Sequence, residues 1–541
     1  MTQALPFSVS QDDPGWALSP LDGRYRRQTY PLVEYLSEVA LNRWRLSIEV
    51  EWLIFVVDHG IVPDLAPLTL HETHYLRALP EGFGPARQAR LAALEEETRH
   101  DVKAVEYLVR EYLAEAGASL TGPGEHGSIG QGVSSGEKGF DKGGPEGGSP
   151  RRSNSPMETS VGSEHGKDDP ALGAPTTGPS LTRLGEAVHL LCTSEDINNL
   201  AVALGTRAAV ENVWLPAASA LVDQLSSMAH DLAHIPMLAR THGQSATPTT
   251  VGKELGVFAW RLHRQLRRIE KAEYLGKFNG ATGTYSAHVA VLPDVDWWNV
   301  SREFVESLGL TWNPVTTQIE SHDWQSELYA DIARFNRIAH NLATDMWSYI
   351  SLGYFRQELA AQGSTGSSTM PHKVNPIRFE NAEANLELST AVLDVLSQTL
   401  ATSRLQRDLS DSSIQRNIGA GLGYSLVALD NLGRGLRGLS ANAEGLAAEL
   451  EEHWEVLGEA IQQALRVHHL ERASAGFPAQ TGAYELLKEA TRGRTVTQGD
   501  LAAVIRGADL APELAERLLA LTPATYTGLA EHIATYVDLP E

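Results

Sequence analysis

Leu328-Tyr-Ala-Asp-Ile-Ala-Arg-Phe-Asn-Arg-Ile-Ala-His-Asn-Leu-Ala-Thr-Asp-Met-Trp-Ser-Tyr349 decides the fold class. Leu328, Ile332, Phe335, Ala339, Leu342, Met346 and Tyr349 alternate spacings of four and three. That rhythm lays them along one stripe of a long helix, with Asp331, Arg334, Arg337 and Asp345 off the stripe. Packing in a bundle or coiled-coil seam is a sufficient reason for such a stripe. Outward from it, no proline occurs between Pro314 and Pro371 or between Pro376 and Pro478, and proline is the strongest helix breaker. Further helical stretches are expected at about 31–58, 195–234, 252–275, 378–402 and 419–440. Strand-like alternation is scarce. The chain reads as all-α, built on long antiparallel helices.

Composition narrows the class. The 541 residues are 42% hydrophobic and 21% charged, a globular balance whose length suggests two or three structural units. Lys+Arg of 44 against Asp+Glu of 68 gives a net charge of −24. So acidic a surface argues against a nucleic acid polymer or an anionic membrane as partner, although one cleft can still gather arginines around a small anion. With one cysteine, Cys192, no intrachain disulfide or cysteine-based zinc site is expected. The best apolar run, Trp52 to Val57, is too short to span a bilayer, and residues 1–20 show no basic and apolar leader pattern. The expectation is a soluble, cytoplasmic protein.

The 47 glycines are unevenly spread, about a third of them between Gly117 and Ser180 among many Ser and Pro and a single aromatic, Phe140. Such a stretch has too little apolar surface to offset the entropy of ordering it, so 117–180 reads as a disordered insertion. A tolerated surface insertion is preferred to a partner-binding tether, because long loops cost little closure entropy.

Elsewhere, polar loops interrupt the helices and carry the chemistry. Gln362-Gly-Ser-Thr-Gly-Ser-Ser-Thr-Met-Pro-His-Lys-Val-Asn-Pro376 ends with His372, Lys373 and Asn375 close together, a cradle for a developing carboxylate or enolate charge. A plain linker before a helix is equally open for it. Arg240-Thr-His-Gly-Gln-Ser-Ala-Thr-Pro-Thr-Thr250 offers His242, the side chain there that exchanges protons near neutrality, although taken alone the segment reads better as a helix cap with an incidental surface histidine. Thr98-Arg-His-Asp-Val-Lys-Ala-Val-Glu106, with Asp101 as a cap, and Cys192-Thr-Ser-Glu-Asp-Ile-Asn-Asn199, with Thr193 or Ser194 as a cap, are explained as well by helix capping. Arg404, Arg407 and Arg416 lie among the hydroxyls of 403–416, and Arg24 and Tyr25 sit in an N-terminal turn. Forked guanidinium donors with serines suit a phosphate monoester, and pairing with Asp408 and Asp411 is the plainer alternative. Gly433-Arg-Gly-Leu-Arg-Gly438 fits a dinucleotide fingerprint but lies in a helical region, and no phosphate-binding P-loop occurs. Neither His71-Glu-Thr-His74 nor His468-His469 has metal-ligand spacing, so no metal is expected.

Taken in order, these segments resemble the fumarase/aspartase superfamily of lyases. Gly366-Ser-Ser-Thr-Met-Pro-His-Lys-Val-Asn-Pro376 is similar to its signature loop. The wording Thr-Met-Pro-His-Lys-Val-Asn is similar to that of the adenylosuccinate lyases within it. So are Thr241-His-Gly-Gln244, Thr193-Ser-Glu-Asp196 and His100-Asp-Val-Lys103. The resemblance covers nearly the whole chain from about Leu18, the insertion apart. It implies a three-domain helical subunit that tetramerises through its central bundle, with active sites shared between subunits. The units would be 1–116, the insertion 117–180, a bundle 181–403 with the signature loop near 362–376, and a helical 404–541. The implied reaction is elimination of fumarate from adenylosuccinate, and from the related purine precursor SAICAR, with no cofactor. By the same resemblance Ser367 is the base, Lys373 and Asn375 stabilise the anionic intermediate, His242 is the acid and His100 the second histidine. Substrate-contact positions would be Arg24, Tyr25, Arg99, Asp101, Thr193, Ser194, Gln318, Asn381, Arg407, Ser412 and Arg416. Arg99 stands where close relatives often carry Asn. The alternatives are another fumarate-releasing lyase, such as an argininosuccinate lyase, or a silent structural protein on the same scaffold.

Overall fold

The computed structural model describes residues 17–121, 181–358, 370, 373–478, 482, 483, 485, 487, 488 and 495–536. The 328–349 stripe falls in a helix over Asp323–Ser351. Leu328, Ile332, Phe335, Ala339, Leu342 and Met346 are buried, while Arg334 and Arg337 face solvent. This helix packs on Ile377–Leu400, which packs in turn on Ile418–Arg437, and Leu215–Asp231 and Val251–Ile269 complete the bundle. Apolar burial along such stripes is the main stabilising term for helices of this length. Strands are confined to four two-stranded pairings of two or three residues each among the described residues.

The expected helical stretches are present, with two interruptions that local pattern does not show. The first breaks at Ser37, whose hydroxyl accepts the Ala40 N–H and starts a new helix, Glu38–Asp58, after Arg26–Leu36. The second, Ser194–Asp231, contains a π-turn at Val210–Trp214. That extra residue delivers Trp214, fully buried, into the bundle. Its indole N–H donates to Ser425 Oγ at 2.9 Å, Ser425 Oγ to Asn336 Oδ1 at 2.8 Å, and Asn336 Nδ2 to Ser389 Oγ at 2.9 Å. This buried polar chain stitches four helical segments, and every member is satisfied.

A close backbone approach occurs at Gly252, where a Cβ would overlap the carbonyl oxygen of Ala229 and the backbone of Ala233. Around the large central core sit two smaller ones and a cluster of Leu238, Leu450 and Val456. One is built from Glu38–Asp58, Leu70–Glu81, Asp101–Thr121 and the short Leu181–Ala187 turn. The other lies between Trp454 and Leu518. The helix Asp101–Thr121 runs past the expected edge of the insertion, so 117–121 are helical rather than disordered. The rest of that segment, 122–180, lies outside the described residues, as do 359–369 and 371–372.

Candidate active site

The residues singled out in the sequence fall into three separate places in one chain. The first forms where two helix starts meet. The helix Pro85–Thr98 ends on Arg99 in the left-handed conformation (φ 55°), which turns the chain sharply into the next helix. His100, not the expected Asp101, caps that helix: its Nδ1 accepts the Lys103 N–H at 3.2 Å. Nε2 therefore carries the proton, and it faces Ser194 Oγ at 3.4 Å. Asp101 is left free to pair with the buried Arg45 at 2.6 Å. Burial pushes the Asp101 carboxyl up, but the Arg45 charge, the Val102 N–H and His100 outweigh it and hold the group below the usual carboxylate range.

From Arg45 a polar chain runs through the site. Arg45 Nε donates to Asn198 Oδ1 at 2.8 Å, and Asn198 Nδ2 to Glu195 Oε1 at 3.0 Å. Glu195 is buried and pairs with Arg407 at 2.7 Å, and Arg407 Nη2 donates to Ser412 Oγ at 3.2 Å. Arg407 is thus neither solvated nor paired chiefly with Asp411, which stands 4.0 Å away. Arg404 does follow the plain reading, exposed and bonded to Asp408 at 3.2 Å. Arg416 binds Glu38 at 2.6 Å. A cavity of about 140 Å³ opens beside this chain, lined by Trp44, Arg45, Asp101, Asn198, Ser412 and Arg416 among others.

Thr193 and Ser194 are fixed from behind by Asp196. This fully buried carboxylate accepts the Thr193 N–H at 2.8 Å, Lys277 Nζ at 2.8 Å, and the N–H groups of Asn279 and Gly280 at 3.0 and 3.1 Å. The loop so anchored carries Ala281, whose carbonyl accepts from the half-buried Gln318 at 2.9 Å. Sequence reasoning missed Arg45, Lys277 and His322 here. The stretch Lys277-Phe-Asn-Gly-Ala-Thr-Gly-Thr284 has the same Gly/Thr composition as the loops that were singled out, and that was the available signal.

The second place joins the N-terminal turn to the helix after the signature loop. Asn381 Nδ2 donates to Tyr25 Oη at 3.1 Å. Arg24, Tyr25, Arg378 and Asn381 line a cavity of about 410 Å³. Lys373 is exposed and Asn375 half-buried just before Ile377–Leu400, with Gln357 holding the Val374 carbonyl at 2.8 Å. Ser367 and His372 lie outside the described residues.

The third is His242, at the tip of a hairpin formed by Arg240–Thr241 and Gln244–Ser245. His242 and Gly243 are both left-handed (φ 54° and 74°), the geometry a two-residue hairpin turn requires. Arg240 is tied to Glu449, and Thr247 Oγ1 donates to Glu459 at 2.6 Å, so the hairpin base is braced. The imidazole itself is exposed and makes no hydrogen bond or ion pair with the described residues. It does not meet His100. Among the described residues no group of three or more His, Cys, Asp or Glu side chains is placed to hold a metal ion, and no helix is long and apolar enough to cross a membrane.

Comparison with known proteins places this arrangement. A family model described as "Lyase" matches residues 149–389, and one described as "Adenylosuccinate lyase C-terminal" matches 403–527. The chain is 40% identical to adenylosuccinate lyase of Escherichia coli over 514 residues, 95% of this chain and 97% of that one. It is 39% identical to that of Haemophilus influenzae, with the same coverage. Among solved structures, a fumarate lyase from Mesorhizobium sp. BNC1 superposes with a TM-score of 0.65 at 17% identity, covering 94% of this chain and 97% of that one. The 3-carboxy-cis,cis-muconate lactonizing enzyme of Pseudomonas putida gives 0.62 at 18%, covering 94% and 96%. The last two bear on the fold alone, whereas identity near 40% over almost the full length of the relatives means that the chain belongs to the adenylosuccinate lyase family.

Proposed function

We propose that the protein eliminates fumarate from adenylosuccinate to give AMP, and from SAICAR to give AICAR, without a cofactor. The observation that carries this reading is the near-full-length likeness to adenylosuccinate lyases. In this reading Ser367 removes the proton from the carbon next to a succinyl carboxylate. The electron pair left behind delocalises into that carboxylate, which Lys373 and Asn375 stabilise. The carbon–nitrogen bond then breaks as His242 protonates the departing nitrogen. A serine is a weak base, so its activation requires the loop to close around it with donors and positive charge.

His100, with its proton on Nε2, is a donor for a substrate carboxylate or for a second histidine. Arg24, Tyr25, Asn381, Arg407, Ser412 and Arg416 are assigned to the nucleotide phosphate and sugar. Arg99, Asp101, Thr193, Ser194 and Gln318 are assigned to the remaining polar groups. In the free chain Glu195 and Glu38 hold Arg407 and Arg416 ready for an incoming anion.

A homotetramer with shared sites fits two features. His242, the His100 cluster and the Tyr25–Asn381 pair lie apart in one chain, so a complete site needs neighbours. The bundle also leaves Val257, Trp347, Leu388 and Val395 exposed, with Leu388 and Val395 at 50% and 54%. The test is direct: purified protein with adenylosuccinate, followed by ultraviolet absorbance and by fumarate release. Turnover is expected, and its absence across pH and concentration would sink the assignment.

A further inference from the structure

His322 has no place in the reaction as assigned, yet its setting is unusual. It is 2% exposed and left-handed (φ 60°), a conformation that costs a non-glycine residue about 1 kcal/mol or more unless the surroundings impose it. Three neighbours do so. Glu320 Oε2 accepts its backbone N–H at 2.8 Å. Gln325 Oε1 is already taken as acceptor by Gln415 at 3.2 Å and Tyr329 Oη at 3.4 Å, so Gln325 Nε2 must be what donates to His322 Nδ1 at 3.3 Å. With Nδ1 an acceptor, the ring proton sits on Nε2 and points at Asp411 Oδ2, 3.4 Å away.

Asp411 stands between this histidine and the assigned anion-binding pair. Its other oxygen accepts the Ser412 N–H at 2.6 Å and the Ser412 hydroxyl at 3.2 Å. Arg407 Nη2 lies 4.0 Å from that same oxygen and donates to Ser412 Oγ. Arg407 already pairs through Nη1 with Glu195 at 2.7 Å, and a second carboxylate 4.0 Å from Nη2 can rotate and close a direct ion pair on that edge too. That pairing would compete with an incoming phosphate for the same donors. The hydrogen bond from His322 holds Asp411 by its far oxygen and keeps the ion pair open.

We infer that His322 is a positioning residue for substrate binding: it restrains Asp411 on Ser412 so that the Nη2 edge of Arg407 stays open to the phosphate rather than closing on the carboxylate. The inference rests on the proposed assignment of Arg407 and Ser412 to the substrate phosphate. It predicts an effect on binding and not on the chemical step, because none of these groups reaches the bond that breaks.

The test is steady-state kinetics with adenylosuccinate on the full chain, comparing His322→Leu and His322→Gln with the parent. Leucine fills the space without a donor. Glutamine places an amide N–H near the position of Nε2. The expected result is a KM raised about tenfold or more in His322→Leu, the scale of one hydrogen bond to a charged group, with kcat within about twofold. In His322→Gln, KM returns to within about threefold of the parent. A folded His322→Leu with unchanged KM, or with kcat reduced as much as kcat/KM, overturns the inference. Should His322→Leu not fold, His322→Gln decides: a KM raised about tenfold despite its donor overturns the inference, and a near-parental KM upholds it. A parent that turns over while the variants fail these expectations leaves the functional assignment standing, whereas a parent without turnover removes both.

Discussion

Replacing Lys277 with methionine tests whether the loop behind Thr193 and Ser194 is held by charge. Lys277 and Asp196 are each fully excluded from water, with Nζ 2.8 Å from Oδ1 and 3.3 Å from the Gly280 carbonyl. Removing one member of such a pair leaves the other charged, dry and uncompensated, typically at a cost of about 3–5 kcal/mol. Here Asp196 keeps the N–H groups of Thr193, Asn279 and Gly280. Methionine also keeps most of the buried aliphatic volume. Both features favour the lower end, so Lys277→Met is expected to cost about 3 kcal/mol. Asp196→Asn leaves the ammonium with no counter-charge and turns an amide NH2 toward the backbone N–H groups that the carboxylate accepts, and is expected to cost at least as much. The double variant removes both charges and is expected to be no less stable than the worse single variant, a coupling of roughly 3 kcal/mol or more. Urea unfolding followed by far-ultraviolet circular dichroism, at one fixed protein concentration because assembly contributes to stability, measures all four corners. A Lys277→Met cost below about 1 kcal/mol, or additive single costs, refutes the reasoning.

Three further outcomes are expected. His242→Gln lowers kcat by roughly 10²–10⁴, the usual worth of a general acid, with an unchanged circular dichroism spectrum since the side chain is exposed; mixing it with an inactive Ser367→Ala recovers measurable turnover if sites are shared between subunits. Gly252→Ala forces a methyl group into the backbone of Ala229 and Ala233 and lowers stability by about 1–3 kcal/mol, read from the unfolding midpoint. His189 pairs with the buried Glu49 at 2.6 Å; burial lowers its pKa, but the hydrogen bond and charge of Glu49 prevail and raise it above 6.5. A raised folded-state value means that this stabilisation is complete below pH 6.5 and is lost as pH rises through that value. The thermal midpoint of the parent should therefore fall more between pH 6.5 and about 9 than that of His189→Gln.

The helices were legible because their signal is local. The 328–349 stripe needs only spacing and residue type, and it is buried as spacing predicts from Leu328 to Met346, with Tyr349 half-buried at its end. Helix ends were less so, since they turn on single hydrogen bonds. A cap was expected from Asp101, the better capping residue by type, but Arg45 claims that carboxylate from another helix and His100 takes over the cap. The π-turn before Trp214 was invisible for a similar reason, because it serves a hydrogen bond to Ser425 far along the chain.

The site divides along the same line, and the division has a physical cause. His242, Arg24, Tyr25 and Lys373 were found because they sit in polar loops with few apolar neighbours to make them structural. Such groups look functional in a sequence when nothing nearby in the chain satisfies them, and in the structure His242 and Lys373 are still exposed. Lys277 and His322 are the opposite case. Each is satisfied inside the chain, by partners as distant in sequence as 81 residues for Lys277 and 89 for His322. A lysine or histidine between helices reads as solvated until that partner is known, so spacing and composition pass over it. Sequence therefore exposes the groups that await a ligand or a neighbouring subunit, and it hides those that hold them in place. Substitutions chosen from loop motifs alone will sample the chemistry and miss its supports, which is why Lys277 and His322 are the informative positions to alter next.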